Sequence, residues 1–458
     1  MSRDREAVVW TRLATRPQRM GRLYITDSDC RFTYDADYLA TGLPGVGLIY
    51  APEIYKDNTI VRSRSENFDF LPPIQALVPP RSQHNFQRQL ILNYLAKQGK
   101  HPARGIDTDW EILKVSGHGG IGHLDVFESD EKALEWYSAP ARSGLFAIGD
   151  DFGFSLKEFL AWFDHDAEFL IQAIGPTPSV GGAIPKLLVT IPDTGWDGRI
   201  GLPSKQTTPG VTDVVLKLEQ SNIYPGMLEL EALTLDIHKA AGFDVPRYWP
   251  ADVNGIPALA VERFDRDKNR NPVFMESLYS ILASGDKSIT HNYSYTYDMI
   301  GRAIDRSPIS LVADQSEAKL YLFKRLMLAL LTGNGDMHME NLSIIRPRDE
   351  LQFSPVYDPT PMRAYSIHNM LSAMTFGGYG DWPDNRNNPV GLEEAVQAFA
   401  RNLNISRTVM KHSMEHVLSC TDNYPDKVMA LETLPLKNKQ QLVAVVSLVR
   451  DALKKLLI

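Results

Sequence analysis

The densest run of chemically capable side chains is Gly333-Asn334-Gly335-Asp336-Met337-His338-Met339-Glu340-Asn341, followed downstream by Pro355-Val356-Tyr357-Asp358. Asp336 and Asn341 are five residues apart. A carboxylate in such a loop can accept the proton of an attacking hydroxyl, and an amide oxygen with a second carboxylate supplies hard oxygen ligands suited to Mg²⁺. Base, amide and metal-binding carboxylate, in that order, are the parts of a phosphoryl-transfer loop. The plainer alternative is that Asp336 and Asn341 only cap turns. His338 has no second histidine at ligand spacing, so it reads as a structural or phosphate-contacting group and not as a transition-metal ligand.

Phosphoryl transfer asks for two further features upstream. One is a lysine on a strand paired to a glutamate on the next helix. Lys217 sits inside Val214-Val215-Leu216-Lys217-Leu218, and Glu231 falls on the apolar stripe of the helical pattern that follows. A carboxylate on such a stripe is costly unless paired. The other is a phosphate loop. Ser179-Val180-Gly181-Gly182-Ala183-Ile184-Pro185-Lys186 leads into a strand-like run, and its adjacent glycines would let backbone N–H groups approach phosphate oxygens. The glycine spacing is not that of a Walker A motif, and an ordinary turn is the default for this loop taken alone. Between these features and the Asp336 loop, Ala258-Leu259-Ala260-Val261-Glu262-Arg263-Phe264-Asp265-Arg266 is an extended segment able to bond an adenine edge through its backbone, or to serve as an edge strand.

The elements that must position these groups follow from periodicity. Residues 21–26 and 30–34 read as a hairpin around Asp27-Ser28-Asp29, and 85–98 as a helix stopped by Gly99. Gly117, Gly119, Gly120 and Gly122 precede a strand-like 124–127; lacking a following Lys-Ser/Thr, they read as a tight turn. Residues 138–144 read as a linker and 155–174 as a helix ended by Gly175-Pro176. Strands are expected at 187–191, 211–218 and 258–261, with a helix at 226–241 between the last two. Beyond Arg266 the pattern is mostly helical, most clearly at 316–332, 392–403 and 438–457, with a strand-like hairpin before Asp358. The expected architecture is α+β, with boundaries at 1–135, 140–264 and 265–458.

Length and composition bound the reading. The 458 residues suffice for two or three domain-sized units. Fifty-six acidic against 48 basic residues give a net charge of −8, a poor balance for gripping nucleic acid directly. Two cysteines, Cys30 and Cys420, exclude a disulfide framework and most Cys-rich zinc sites, and suit a reducing cytoplasm. No apolar run approaches the roughly 20 residues that span a bilayer, and the N-terminus has no secretory pattern, so a cytoplasmic protein without membrane contact is expected.

Taken together, these residues resemble the HipA family of serine/threonine kinases, the toxin half of bacterial toxin–antitoxin pairs. Residues 179–186 resemble that family's Ser-x-x-Gly-Ala-x-x-Lys loop, 258–266 its hinge, 335–341 its Asp-x-His-x-Lys-Asn catalytic loop and Tyr357-Asp358 its metal-binding pair. The resemblance implies a bilobal protein-kinase-like fold, with a small mixed β lobe, a helical lobe and an N-terminal α+β subdomain. It implies ATP and Mg²⁺ as cofactors. Asp336 would be the catalytic base, with His338 beside it, and Asn341 and Asp358 would hold the metal. Gly181, Gly182, Ala183, Lys186, Lys217 and Glu231 would serve the ATP phosphates, with His338 and Tyr357 near the nucleotide. Glu262, Arg263 and Phe264 would meet adenine. Ser179 matches the family's autophosphorylation site. The implied partners are a helix-turn-helix antitoxin of the HipB type and a protein substrate; aminoacyl-tRNA synthetases are known family targets. Operator DNA would be met only through the antitoxin complex.

Two departures stand out. Glu340 occupies the place of the family's usual Lys, where a cation would neutralise transferring phosphate charge and a carboxylate would repel it. Either Glu340 turns away and another cation such as Lys186 or Lys217 serves, or the chain is slower or altered in substrate. Pro359 follows Asp358 in place of the Phe-Gly of eukaryotic kinases, which argues against a conventional activation-loop switch. Two rival functions stay open: a kinase-fold binding or repressor protein with weakened catalysis, and a small-molecule phosphotransferase.

Overall fold

The computed structural model describes residues 4–14, 16–82, 85–139, 145–147, 184–201, 203, 209–253, 256–380 and 390–457. The expected helix at 155–174 and most of the expected linker at 138–144 lie outside them. The chain divides into two compact units. The first comprises Met1–Leu218, Ala251–Thr290 and Ile345–Pro347; the second comprises Glu219–Pro250, His291–Ile344 and Arg348–Ile458.

The first unit opens on a sheet of β1 (Arg5–Thr11), β2 (Gln18–Ile25), β3 (Asp29–Tyr34), β4 (Ile60–Ser63) and β5 (Leu124–Phe127). Their order is β4-β3-β2-β1-β5, with antiparallel neighbours. The β2–β3 hairpin falls where the Asp-Ser-Asp turn was expected. Thr26 closes it, since its Oγ1 accepts the Asp29 N–H at 3.0 Å. Along β3, Cys30, Phe32 and Tyr34 point inward while Arg31 and Thr33 face water, the period-two pattern of a strand. One face packs on Ile91 and Leu95 of α1 (Phe86–Lys97) and on Trp110, Ile112 and Leu113 of α2 (Ile106–Ser116). Asn85 caps α1, accepting the Arg88 N–H at 2.9 Å. On the other face Val8, Trp10 and Phe127 meet Ala133, Trp136 and Tyr137 of α3 (Asp130–Ser138). Helices α2 and α3 were not expected. Each is short and opens on acidic residues, so few apolar positions carry its period.

The same unit holds a second sheet in which β6 (Lys186–Pro192), β7 (Val211–Leu218) and β8 (Ile256–Glu262) run antiparallel with β7 in the middle. Every residue of β6 is buried. The register places Lys186 directly opposite Lys217, so two lysines share one face of neighbouring strands, and both are buried.

The glycine-rich segment 117–122 is a turn, as expected, and it clamps the stretch after β8. The Gly120 carbonyl accepts from Arg263 Nη2 at 2.6 Å and Arg266 Nη2 at 2.7 Å. The Gly122 N–H donates to Asp265 Oδ2 at 2.8 Å. Arg263 also grips Asp265 through Nε and Nη2, at 3.0 and 2.8 Å. Burial alone would raise the Asp265 carboxyl, but Arg263 and Arg266 outweigh it and hold it at about 2.

Glu276 is a second buried carboxylate of this unit, accepting the Leu48 N–H at 2.7 Å and the Ser280 hydroxyl at 2.6 Å. Burial pushes its pKa up to about 7, from an ordinary 4.5. A raised pKa means that folding favours the protonated form, so its stabilising effect is complete below the unfolded value and is lost as pH rises through about 7. The urea midpoint of the wild-type chain should therefore fall, relative to Glu276→Gln, between about pH 5 and about pH 8. An identical pH dependence in both proteins would contradict this.

The second unit is mainly helical. Its described helices include α4 (Met227–Ala240), α5 (Tyr297–Arg306), α6 (Gln315–Thr332), α7 (Leu392–Asn402), α8 (Arg407–Cys420) and α9 (Leu436–Lys454). The helices expected at 226–241, 316–332 and 392–403 appear almost at those bounds. The strands Ser343–Arg346 and Gln352–Phe353 fall where the strand-like hairpin before Asp358 was expected, whereas the strand Phe274–Ser277 was not expected. Helix α6 is the central post. Asp314 caps its start by accepting the Glu317 N–H at 2.9 Å, and Gly333 ends it at φ 79°. Its Arg325 is 1% exposed and donates to Nε2 of His238 on α4 at 2.5 Å. His238 Nδ1 lies 2.8 Å from the Thr234 carbonyl, which fixes the neutral tautomer that can accept from Arg325. Burial first, and the Arg325 charge second, hold His238 well below its ordinary pKa.

Candidate active site

Helix α6 delivers the chain into the loop of interest. Gly333 takes a left-handed conformation, and a Cβ on it would lie 2.5 Å from Leu442 Cδ1 of α9. A Cβ on Gly335 would lie 2.2 Å from the Met370 carbonyl oxygen. The two glycines thus let the loop turn against packed neighbours, and larger residues would displace it. Asn334 Oδ1 then accepts the Asp336 N–H at 3.0 Å.

The loop is a rigid cradle for Asp336. Asn341 Nδ2 donates to the Asp336 carbonyl oxygen at 2.7 Å, which ties the two expected site residues together through the backbone. The Asp336 side chain is 31% exposed, and its Oδ1 accepts the Tyr293 hydroxyl at 2.6 Å. His338 is buried; its Nδ1 accepts the Glu340 N–H at 3.2 Å, so the proton sits on Nε2, which lies 4.0 Å from Asp336 Oδ2.

Asp358 follows a strand-like segment, as expected, and sits at φ 47° in the left-handed region. Tyr357 anchors it to the loop by donating to the Glu340 carbonyl at 2.6 Å, with Ser343 Oγ also 2.6 Å from its hydroxyl. Burial pushes the Tyr357 phenol up, so it stays a neutral donor. In this structure Tyr357 is a brace for the loop. Glu231 on α4 is buried and accepts from Thr360 Oγ1 at 3.2 Å, two residues beyond Asp358.

Glu340 has a defined place. Its Oε2 accepts from Asn292 Nδ2 at 2.9 Å, and the next backbone link runs back, from the Met339 N–H to the Asn292 carbonyl at 3.2 Å. The carboxylate is therefore turned onto the segment before α5. Tyr293 of that segment donates its hydroxyl to Asp336 Oδ1 at 2.6 Å. The sequence reading missed Asn292 and Tyr293. Their signal was the run Asn292-Tyr293-Ser294-Tyr295-Thr296-Tyr297, polar and aromatic at a helix start, with nothing in its spacing to name a function.

In the first unit, Lys186 and Lys217 stand side by side as described. Arg263 is committed to Asp265 and Gly120, and its N–H donates to the Asp213 carbonyl at 2.9 Å. Ser179, Gly181, Gly182 and Ala183 lie outside the described residues.

The donor set suits Mg²⁺. That ion is held by one or two protein oxygens plus phosphates and water. With its nitrogen committed to Asp336, Asn341 keeps its amide oxygen as a hard donor, and Asp358 adds a carboxylate. Among the described residues there is no cluster of three or more His, Cys, Asp or Glu side chains able to hold a metal by itself.

The sequence profile of the HipA-like C-terminal domain matches residues 178–423, more than half of the chain. The chain belongs to the HipA family. A Haemophilus influenzae protein named "Putative kinase" is 29% identical to this HipA-family chain over 250 residues, covering 51% of it and 66% of the relative. "Putative kinase Y4dM" of Sinorhizobium fredii is 32% identical over 326 residues, covering 66% of the chain and 67% of the relative. The chain thus spans about two thirds of the length of these relatives. Among solved structures, that of the Shewanella oneidensis MR-1 toxin–antitoxin system HipA, HipB and operator DNA complex aligns with a TM-score of 0.64 at 16% identity, over 96% of this chain and 95% of that one. The HipA-family fold, kinase-like and α+β, therefore extends over nearly the whole chain. Among its described residues no helix is long and apolar enough to cross a membrane.

Proposed function

We propose that this chain is an ATP- and Mg²⁺-dependent protein serine/threonine kinase of the HipA toxin type. The observation that carries this reading is the Asp336 carboxylate, presented by a loop whose backbone is pinned by Asn341 and whose far end is braced through Tyr357 to Asp358. Phosphoryl transfer needs mostly positioning and charge stabilisation, so a rigid, half-open base is the part the protein must supply. Asp336 orients the acceptor hydroxyl and takes its proton. His338, whose Nε2 lies 4.0 Å from Asp336 Oδ2, would sit beside the base. Asn341 and Asp358 would hold Mg²⁺, which when bound neutralises phosphate charge. Lys186 and Lys217 would be ATP phosphate contacts, and Glu231 would belong to the nucleotide-binding residues. Backbone groups at Glu262 and Phe264 meet adenine; Arg263 supports this stretch through its ion pair.

The rest of the proposal follows the family. The chain would divide into an N-terminal subdomain, a small lobe and a helical lobe, at 1–135, 140–264 and 265–458. Ser179 would be an autophosphorylation site, and Gly181, Gly182 and Ala183 would belong to its phosphate loop. A HipB-type antitoxin would bind the chain and lead any contact with operator DNA, in keeping with the charge of −8. The target would be a cytoplasmic protein serving translation, such as an aminoacyl-tRNA synthetase.

Asp358→Asn provides the test of the metal assignment. It should raise the Mg²⁺ concentration for half-maximal ATP turnover by at least about tenfold, since even an outer-shell partner of a metal ligand is worth about 10–100-fold in affinity. An unchanged Mg²⁺ requirement would remove Asp358 from the metal site. Glu340 in place of the usual Lys supports one rival, a kinase-fold binding protein with weakened catalysis. Absence of Mg²⁺-dependent ATP turnover in the wild type would favour that rival.

A further inference from the structure

The segment before α5 holds a hydroxyl against the Asp336 carboxylate. It is fixed to the catalytic loop at three points: Met339 N–H to the Asn292 carbonyl, Asn292 Nδ2 to Glu340 Oε2, and the Tyr297 hydroxyl to the Met337 carbonyl. His291 and Ser294 close a tight turn on themselves, with the Ser294 N–H donating to the His291 carbonyl and the His291 N–H to Ser294 Oγ, both at 3.0 Å. Tyr293 projects from that turn. Its ring meets His338 edge-on, with centroids 4.9 Å apart, and its hydroxyl donates to Asp336 Oδ1 at 2.6 Å. Burial, then the Asp336 charge, pushes the phenol pKa up, so it carries the proton it donates.

A general base must lie about 2.6–3.2 Å from the oxygen whose proton it takes. Tyr293 meets that condition at the carboxylate to which the proposed function assigns the base role, and the residue is 39% exposed. We propose that Tyr293 is an internal phosphoacceptor of this chain. The inference rests on the kinase reading of the same site and extends its acceptors from serine and threonine hydroxyls to this one tyrosine. In the step, the Tyr293 oxygen forms a bond to the γ-phosphorus of ATP, the bond from that phosphorus to the β,γ-bridging oxygen breaks, ADP leaves, and the phenolic proton passes to Asp336. The product carries about −1.5 to −2 charge. Standing against Asp336 and Glu340, it is repelled from the base, so the reaction ends after a single phosphate and frees Asp336 for other hydroxyls. Glu340 thereby acquires a purpose that a Lys would not serve: it holds the Tyr293 turn through Asn292, and it repels that turn once phosphorylated.

The test uses phosphatase-treated full-length chain incubated with Mg²⁺ and ATP, followed by intact mass and peptide mapping. The expected result is a single phosphate on the peptide containing Tyr293. It should persist in Ser179→Ala, vanish in Tyr293→Phe and Asp336→Asn, and form at a rate per chain that dilution does not change. ATP turnover with Tyr293 unmodified overturns this inference alone. Labelling that slows on dilution overturns the internal route. Absence of any ATP turnover overturns both this inference and the kinase reading.

Discussion

Asp336→Asn should lower phosphoryl transfer by about 10²–10⁴-fold, the usual contribution of a positioned general base. The substitution is unusually clean. Asn341 holds the loop through the Asp336 carbonyl, not the carboxylate, so the pin survives. An asparagine oxygen can still accept from Tyr293, and its volume is the same. Only the negative charge and the basicity go. The unfolding midpoint in urea should therefore match the wild type while steady-state ATP turnover collapses. A variant that keeps its turnover would show that Asp336 is not the base. A variant that loses stability as well would show that the carboxylate is structural.

The largest stability effect is expected at Asp265, in the other unit. Its carboxylate is 2% exposed and bonds two buried guanidiniums, while the Gly120 carbonyl and the Gly122 N–H complete the cluster. Asp265→Ala would strip Arg263 and Arg266 of the carboxylate that both bond, and breaking a buried pair in this way costs about 3–5 kcal/mol. Because the carboxyl is held at about 2, below its ordinary 3.8, its contribution is present above about pH 4 and disappears as pH falls through about 2. Urea unfolding near neutral pH should show the full gap between wild type and variant, and the gap should close toward about pH 2. A gap below about 1 kcal/mol near neutral pH, the scale of an exposed pair, would mean that the arginines find water or other partners.

These two positions also mark what could be read from residues alone. The catalytic loop was legible because its chemistry is local: a helix end, two glycines, and Asp and Asn at a fixed interval. The strands carrying Lys186 and Lys217 were legible from their apolar runs, but the pairing that puts the lysines opposite each other is a register property, visible only once β6 and β7 align. The glycine cluster at 117–122 was legible as a turn. Its role as a clamp on Arg263 and Asp265 was not, because its partners lie about 140 residues away in sequence. The same holds for Glu340. As a letter in a motif it is a departure with two explanations; in the fold it is an acceptor for Asn292, 48 residues earlier. Long-range partners decide such cases, and periodicity carries no information about them.

The central claim is that this HipA-family chain moves the γ-phosphoryl group of ATP onto protein hydroxyls using Asp336. The most direct measurement is incubation of the purified chain with γ-labelled ATP and bacterial lysate, with and without Mg²⁺, followed by separation of protein from small molecules. The account predicts label in the protein fraction that requires Mg²⁺ and is absent with Asp336→Asn. Label confined to the small-molecule fraction, or ATP left intact by the wild-type chain, would contradict it.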